Sequence, residues 1–316
     1  MFDNDCSSEV SHSQITDNVA TGATTRGGGI SLAEYCYPTF FDCLLVSNET
    51  NGSGGAVYCE AYCDPVFASC TLWNNSAGTG STLFSDGRCQ TTLTDTVFSS
   101  RDGEVVPTGS SIVATFCCVE GGWRGTGNQD ADPLFAAGRL GPYYFSSVSA
   151  GQETDSPCLN AGSSAATALG LDELTTTTDE QLDEGVVDIG YHYPSSLARI
   201  DVSVNSPAIC RGEELVVSVE VSNPGEPISI DAYVGLVLPT GDLYCLKPDG
   251  TLGVGMYPLA AGVNLPEGFT YGPVEIMRFL VPDSAPTGGY LAAGALLYAG
   301  ESDLVTSPDT VFFEVL

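Results

Sequence analysis

The sequence predicts an all-β protein: a solenoid of stacked strands followed by an antiparallel sandwich. Three observations carry this: a repeat of fixed length in the first part, its loss near residue 195, and a different spacing of β-prone runs beyond. Residues 27–48, GGGISLAEYCYPTFFDCLLVSN, match residues 54–75, GGAVYCEAYCDPVFASCTLWNN, column by column. Cys36 and Cys63, Pro38 and Pro65, Phe40 and Phe67, Cys43 and Cys70, Leu45 and Leu72, and Asn48 and Asn75 are each 27 residues apart. A constant offset of that size, in short β-prone runs separated by Gly, Ser and Asn, marks a coil in which each repeat is one turn.

Within the repeat, Phe41, Cys43 and Leu45 alternate with Asp42 and Leu44, and Ala68, Cys70 and Leu72 alternate with Ser69 and Thr71. The first set of each run is expected to face the core and the second to face out. Thr94, Thr96 and Phe98 continue at an offset of 26, Thr115, Cys117 and Val119 follow one turn later, and Ile15, Asp17 and Asn18 belong to a preceding partial coil. A strand spacing of ~4.8 Å stacks Cys36 over Cys63 and Cys43 over Cys70. These cysteines are read either as buried small hydrophobes or as ladder disulfides among Cys36, Cys63 and Cys89 or between Cys43 and Cys70. Cys210 and Cys245, the two cysteines of the second half, are expected to bridge. Asn48 and Asn75 occupy matching corners, where stacked amides can bond along the coil axis. Asn48, Asn51 and Asn74 also open glycosylation triplets, and for Asn48 and Asn51 both readings stand.

With 40 acidic against 9 basic side chains, a single lysine (Lys247) and a net charge of −31, the chain is a poor partner for nucleic acid or anionic membranes. Twelve cysteines, abundant Ser and Thr, and the acceptor triplets point to an extracellular protein. No leader is visible in MFDNDCSSEV, so either one has been removed or the chain begins inside a longer one. No apolar run reaches the ~20 residues of a membrane-spanning helix. No motif requires a cofactor. The acidic excess is expected to bind divalent cations or to tolerate high salt, with calcium raising the melting temperature. Asp130 and Asp132, and the cluster Asp179, Glu180, Asp183 and Glu184, are the candidate ligands, although without EF-hand spacing; the cluster also reads as a solvated loop.

The rung pattern, together with CVEGGWRGTGNQDADPLF at 118–135, SPCLNAG at 156–162 and VDIGYHY at 187–193, resembles the right-handed parallel β-helix repeats of large bacterial surface and secreted proteins. The resemblance implies a right-handed β-helix over residues 1–194, with the stretch after Phe135 capping the open coil end. Few glycines in 81–100 and the insertion-like run 163–185 depart from it. Beyond the linker at 194–196, runs at 199–205, 214–223, 228–239, 243–246, 274–282, 290–298 and 310–316, with turns such as SNPGEP, PTGD, KPDG and APTGG, fit an antiparallel sandwich over 198–316. Its SVEVSNPGEP and PTGGYLAAGALLY stretches resemble immunoglobulin-like modules appended to bacterial surface proteins.

Right-handed β-helices include polysaccharide lyases and hydrolases, so catalysis has to be weighed. The coil region has no lysine to serve a lyase. An inverting hydrolase needs two carboxylates ~6.5–9.5 Å apart in one groove. Asp42 and Asp95, in the outward column and two rungs or about 9–10 Å apart, are the candidates, with Ser69 between them. Outward aspartate is also the ordinary way to solvate a sheet. GGWRGTGN at 121–128 precedes no helix and reads as a turn against which Trp123 packs. The expectation is a non-enzymatic structural or adhesive protein of the cell surface. Residues 1–13 offer no polar cap, so self-association head to tail into a filament is expected, or binding to a surface polysaccharide or protein. A carbohydrate-active enzyme is the alternative.

Overall fold

In the computed structural model, residues 6–22, 25–99 and 103–316 are described; residues 1–5 of the N-terminal stretch considered above lie outside them. The chain divides into two compact units, Met1–Pro194 and Ser195–Leu316. Both are β-structures, and the one α-helix among the described residues is the single turn Ala166–Leu169.

The first unit is built on parallel sheets. The largest runs Ser111–Thr115, Gln90–Thr94, Val66–Ala68, Thr39–Val46, Thr71–Trp73, Val97–Ser99 and Cys118–Glu120, with Glu9–Thr16 also on Thr39–Val46. Val105–Thr108, Leu83–Asp86, Val57–Cys59 and Ile30–Leu32 form a second, and Val19–Ala20, Glu49–Ser53 and Ser76–Thr79 a third. Register follows the sequence repeat. Phe40 lies opposite Phe67 and Leu45 opposite Leu72, whereas Thr94 lies opposite Thr115, one shorter turn on. Such pairing stacks successive turns of the chain in a solenoid-like arrangement.

Corners are set by left-handed residues stacked from coil to coil. His12, Asp42, Ser69, Asp95 and Phe116 share one column with φ between 46° and 52°, a conformation non-glycine residues seldom adopt. At another corner Gly54 has φ 76°, and a Cβ on Gly55 would come within 2.2 Å of the Ser81 carbonyl of the next coil. The paired glycines of the repeat therefore answer two separate demands, a left-handed turn and a close stack.

The left-handed corner also corrects the expected alternation. Phe40 and Phe67 are fully buried inside the coil, stacked at 4.9 Å and 9°, in place of Phe41 and Ala68. A strand alternates only while its backbone stays extended. At Asp42 and Ser69 it turns, so the phase before the corner shifts by one residue while Cys43, Leu45, Cys70 and Leu72 stay inside.

The segment after Phe135 does not close the coil end. It lies along the outer face of the large sheet, where Leu44 and Val46 are buried by Tyr144, Tyr191 and Tyr193, and Val97 by Phe145 and Ile189. A sheet with apolar residues on both faces needs a cover on each. Its hairpin pairs Phe135–Gly138 with Gly141–Phe145, and Leu174–Thr175 pairs with Tyr193–Pro194. The 121–130 loop sits against the last coil instead. Trp123 packs on Phe98, Gln129 donates its N–H to the Cys117 carbonyl, and the Gln129 carbonyl accepts the Val119 N–H.

The second unit contains all seven expected runs and three further strands, Ala208–Ile209, Leu252–Val254 and Ala260–Leu265. Arg199–Val204, Glu214–Asn223 and Phe269–Leu280 form one antiparallel sheet. The other seven strands form a second, centred on Ile228–Val237 and Gly288–Tyr298. Val217, Leu236, Ala292 and Phe313 belong to the single buried cluster of this unit.

Candidate functional site

Asp42 and Asp95 point out of the coil as expected, but neither meets solvent: they are 0% and 2% exposed. Both are covered by the flanking segment, whose polar atoms converge on this left-handed column. The His192 N–H donates to Asp42 Oδ1 at 2.7 Å, and His192 Nδ1 lies 3.3 Å from the same oxygen. His12 Nδ1 lies 2.8 Å from Asp42 Oδ2, so both histidines of the chain meet one carboxylate. One coil on, the Tyr191 N–H donates to Thr71 Oγ1 at 3.0 Å. On the next, the Ser163 N–H and hydroxyl bind Asp95 Oδ1 and Oδ2 at 2.7 and 2.6 Å, and the Gly190 N–H donates to the Asp95 carbonyl. Gly190 has φ 117°, and a Cβ there would lie 3.0 Å from Phe145, Thr71 and Val97.

Behind this row lies a second layer. His192 Nε2 is 2.9 Å from Asp183 Oδ2, which also accepts the Asp188 N–H at 2.9 Å. Asp188 in turn accepts the Asn160 N–H at 2.6 Å and the Thr176 hydroxyl. Burial by itself would lower the His192 pKa, but the hydrogen bond to Asp183 and the charges of Asp42 and Asp183 outweigh it and raise it to about 10. Burial, then the neighbouring Asp183 charge, pushes the Asp188 carboxyl up to about 6. Burial likewise raises Asp95, against its bonds from Ser163. The arrangement can hold an imidazolium between two carboxylates, and no part of Asp42 or Asp95 is presented to a polymer.

A pH dependence follows from these shifts. An imidazole whose pKa rises on folding contributes its full stabilisation below about 6.5 and loses it as pH climbs to about 10. For Asp188 the raised pKa acts in the same direction over a lower window, from about 3.8 to about 6. The unfolding free energies of wild type and His192→Gln, measured by denaturant titration, should therefore differ by a few kcal/mol near pH 6 and converge by pH 10. A gap that stays constant over that range would show that His192 is not charged in the folded protein.

The other expected residues fall in several places. The acidic cluster is neither a solvated loop nor a convergent site. Asp183 binds His192, Glu180 pairs with Arg139 Nε at 2.5 Å, Asp179 accepts the Thr177 hydroxyl, and Glu184 is exposed. Asp130 and Asp132 accept the N–H groups of Gly121 and Leu134 in their own loop. Among the described residues no group of three His, Cys, Asp or Glu is placed to hold a metal ion. The structure bridges none of the twelve cysteines, and with Cys210 exposed and Cys245 buried neither the expected Cys210–Cys245 bridge nor a ladder bridge is seen. Backbone carbonyls take the ladder thiols instead: Cys63 donates to Ala33 and Glu60 at 2.6 and 2.8 Å, and Cys89 to Asp86 at 3.0 Å. The thiols of Cys36, Cys43 and Cys70 likewise face carbonyls, those of Glu34, Val10 and Phe40.

Asn48 resolves in favour of the amide ladder. It is fully buried, donates to Asn75 Oδ1 at 3.0 Å and to the Ile15 carbonyl at 2.8 Å, and accepts from Asn18 at 2.9 Å. Asn51 and Asn74 are exposed. Asn48→Ala should cost about 1–3 kcal/mol in denaturant unfolding, because half-buried Asn75 and the Ile15 carbonyl lose the donor that fully buried Asn48 supplies. Glycopeptide mapping should find Asn48 unmodified whatever the state of Asn51 and Asn74.

His12, His192, Asp188, Thr176 and Ser163 were not anticipated from sequence. VDIGYHY was visible as a motif, but no spacing within it indicates that its polar atoms belong to partners as far away as Asp42.

No family model matches the chain, and no curated protein matches it. Similar solved structures include the alkylpurine DNA glycosylase AlkC of Pseudomonas fluorescens bound to DNA with an abasic-site analogue. It is 15% identical with a TM-score of 0.25, covering 38% of this chain and 31% of that one. The sporulation control protein Spo0M of Bacillus subtilis is 16% identical with a TM-score of 0.25, covering 38% and 49%. A CARDB domain from Pyrococcus furiosus, in complex with di-metal ions, is 15% identical with a TM-score of 0.24, covering 38% and 90%. The chain thus spans less than half the length of the first two, and at such scores none bears on function. No helix among the described residues is long and apolar enough to cross a membrane.

Proposed function

We propose that the protein is an extracellular structural or adhesive protein: a short right-handed parallel β-helix followed by an immunoglobulin-like sandwich, acting at a cell surface. The observation that carries this reading is the fate of Asp42 and Asp95. Carboxylates that a carbohydrate-active β-helix would hold open in a groove are buried and bound to the flanking segment. The exposed Asn51 and Asn74 triplets support secretion.

Self-association head to tail is the proposed mode of assembly. Among the described residues, Glu9–Thr16, Val19–Ala20 and Ile30–Leu32 each pair on one side alone, which leaves an edge of free N–H and C=O groups. An edge of that kind recruits another strand, and a contact that does not close on itself grows a filament. Electron microscopy of the native protein tests it. Regular fibres are expected; monodisperse particles at high concentration would count against assembly and leave adhesion to a polysaccharide or protein. A screen against acidic and neutral polysaccharides tests the enzymatic alternative, and cleavage that survives in a well-folded preparation would overturn the structural reading.

A further inference from the structure

We propose that Cys118 and Cys158 form a disulfide that clamps the flanking segment to the last coil. Cys117 lies just after the left-handed corner at Phe116 and Cys118 opens the next strand, and the two side chains go to different sides of the chain. Cys117 enters the coil interior, while Cys118 joins an outer cluster with Val97, Phe145, Ile189 and Cys158. Cys158 comes from the SPCLNAG stretch and brings its thiol to that of Cys118; both residues are fully buried.

Each backbone is fixed independently. Cys118 sits opposite Val97 in the parallel ladder, and its thiol faces the Ala131 carbonyl at 3.5 Å. The Cys158 N–H donates to Ser156 Oγ at 3.1 Å, that hydroxyl donates to the Pro133 carbonyl at 2.6 Å, and the Cys158 carbonyl accepts the Ile189 N–H at 2.9 Å. Two thiols held in one buried cluster lose little freedom on bonding. The ladder thiols differ in consequence. A bond between Cys43 and Cys70 would close a loop of 27 residues within the coil, whereas Cys118–Cys158 closes one of 40 and ties the flanking segment to the coil.

The oxidant is a low-molecular-weight disulfide. One cysteine thiolate attacks it and releases one thiol; the second thiolate attacks the mixed disulfide, forming the protein S–S bond and releasing the other thiol. The protein loses two electrons, the small disulfide gains them, and the two protons leave on the released thiols. Since both sulfurs are sealed in the folded chain, the exchange takes place during folding, before the segment docks.

The test is to refold the full chain in a mixture of oxidised and reduced glutathione, block free thiols after denaturation, and map peptides without reduction. A defined redox buffer makes the result independent of where the protein resides. A Cys118–Cys158 peptide is expected. Reductant should lower the melting midpoint of the first unit by on the order of 10 °C, and Cys158→Ser should melt at that lower midpoint with or without reductant. Recovery of both cysteines as blocked thiols, or of either bonded to another cysteine, would overturn the proposal, and the wild-type map decides it even if the variant does not fold.

Discussion

His192→Ala is expected to lower the unfolding free energy of the first unit by about 3–5 kcal/mol, the usual cost of removing one partner from a buried ion pair. His192 is 1% exposed and stands between Asp42 and Asp183, at 3.3 and 2.9 Å. Its removal leaves the buried Asp183 carboxylate without its imidazolium, and Asp42 with half-exposed His12. Burying unpaired charge is far more costly than losing a hydrogen bond. The loss should appear in thermal or denaturant unfolding of the first unit, with the transition of the second unit unmoved. His192→Gln, which keeps a donor, should fall between the alanine variant and wild type. A loss under about 1 kcal/mol in the alanine variant would mean that this network does not hold the segment.

Phe67→Ala should cost a similar amount, about 3–5 kcal/mol, by a different route. Its ring is stacked on Phe40 inside the coil, and both are fully buried. Phe67 packs within the buried coil core among Cys63, Cys70 and Leu72, so its truncation opens a cavity there. Phe41→Ala provides the contrast. Phe41 faces outward, part-buried, with its ring edge-on to His12 at 5.6 Å, and its truncation should be the milder of the two. Simple alternation through 39–46 predicts the reverse ranking, so the pair of variants also tests the corner at Asp42.

How far the sequence could be read depended on whether a feature was local. The 27-residue offset was visible because stacked coils place identical chemistry at identical positions, and the register of Phe40 on Phe67 follows it. The phase shift at Asp42 was not, because a left-handed residue other than glycine leaves no mark in composition. Asn48 carried two legible signals, a glycosylation triplet and a ladder column, and burial decides between them. The flanking segment was recognised as a cover but assigned to the coil end. The clue lay in Leu44 and Val46, apolar side chains on the face that alternation assigned to solvent. The partners of Asp42 were the least legible, since 150 residues separate it from His192.

Outward carboxylates of the coil column fasten residues 156–193 along the outer face of the large sheet. Residue-resolved hydrogen exchange tests it most directly. Ser163, Gly190, Tyr191 and His192, whose N–H groups bind Asp95, Thr71 and Asp42, should exchange as slowly as the strands beneath them, and all four should speed up together in Asp42→Ala. Exchange of these amides at loop rates in the wild type, or no change in the variant, would contradict it.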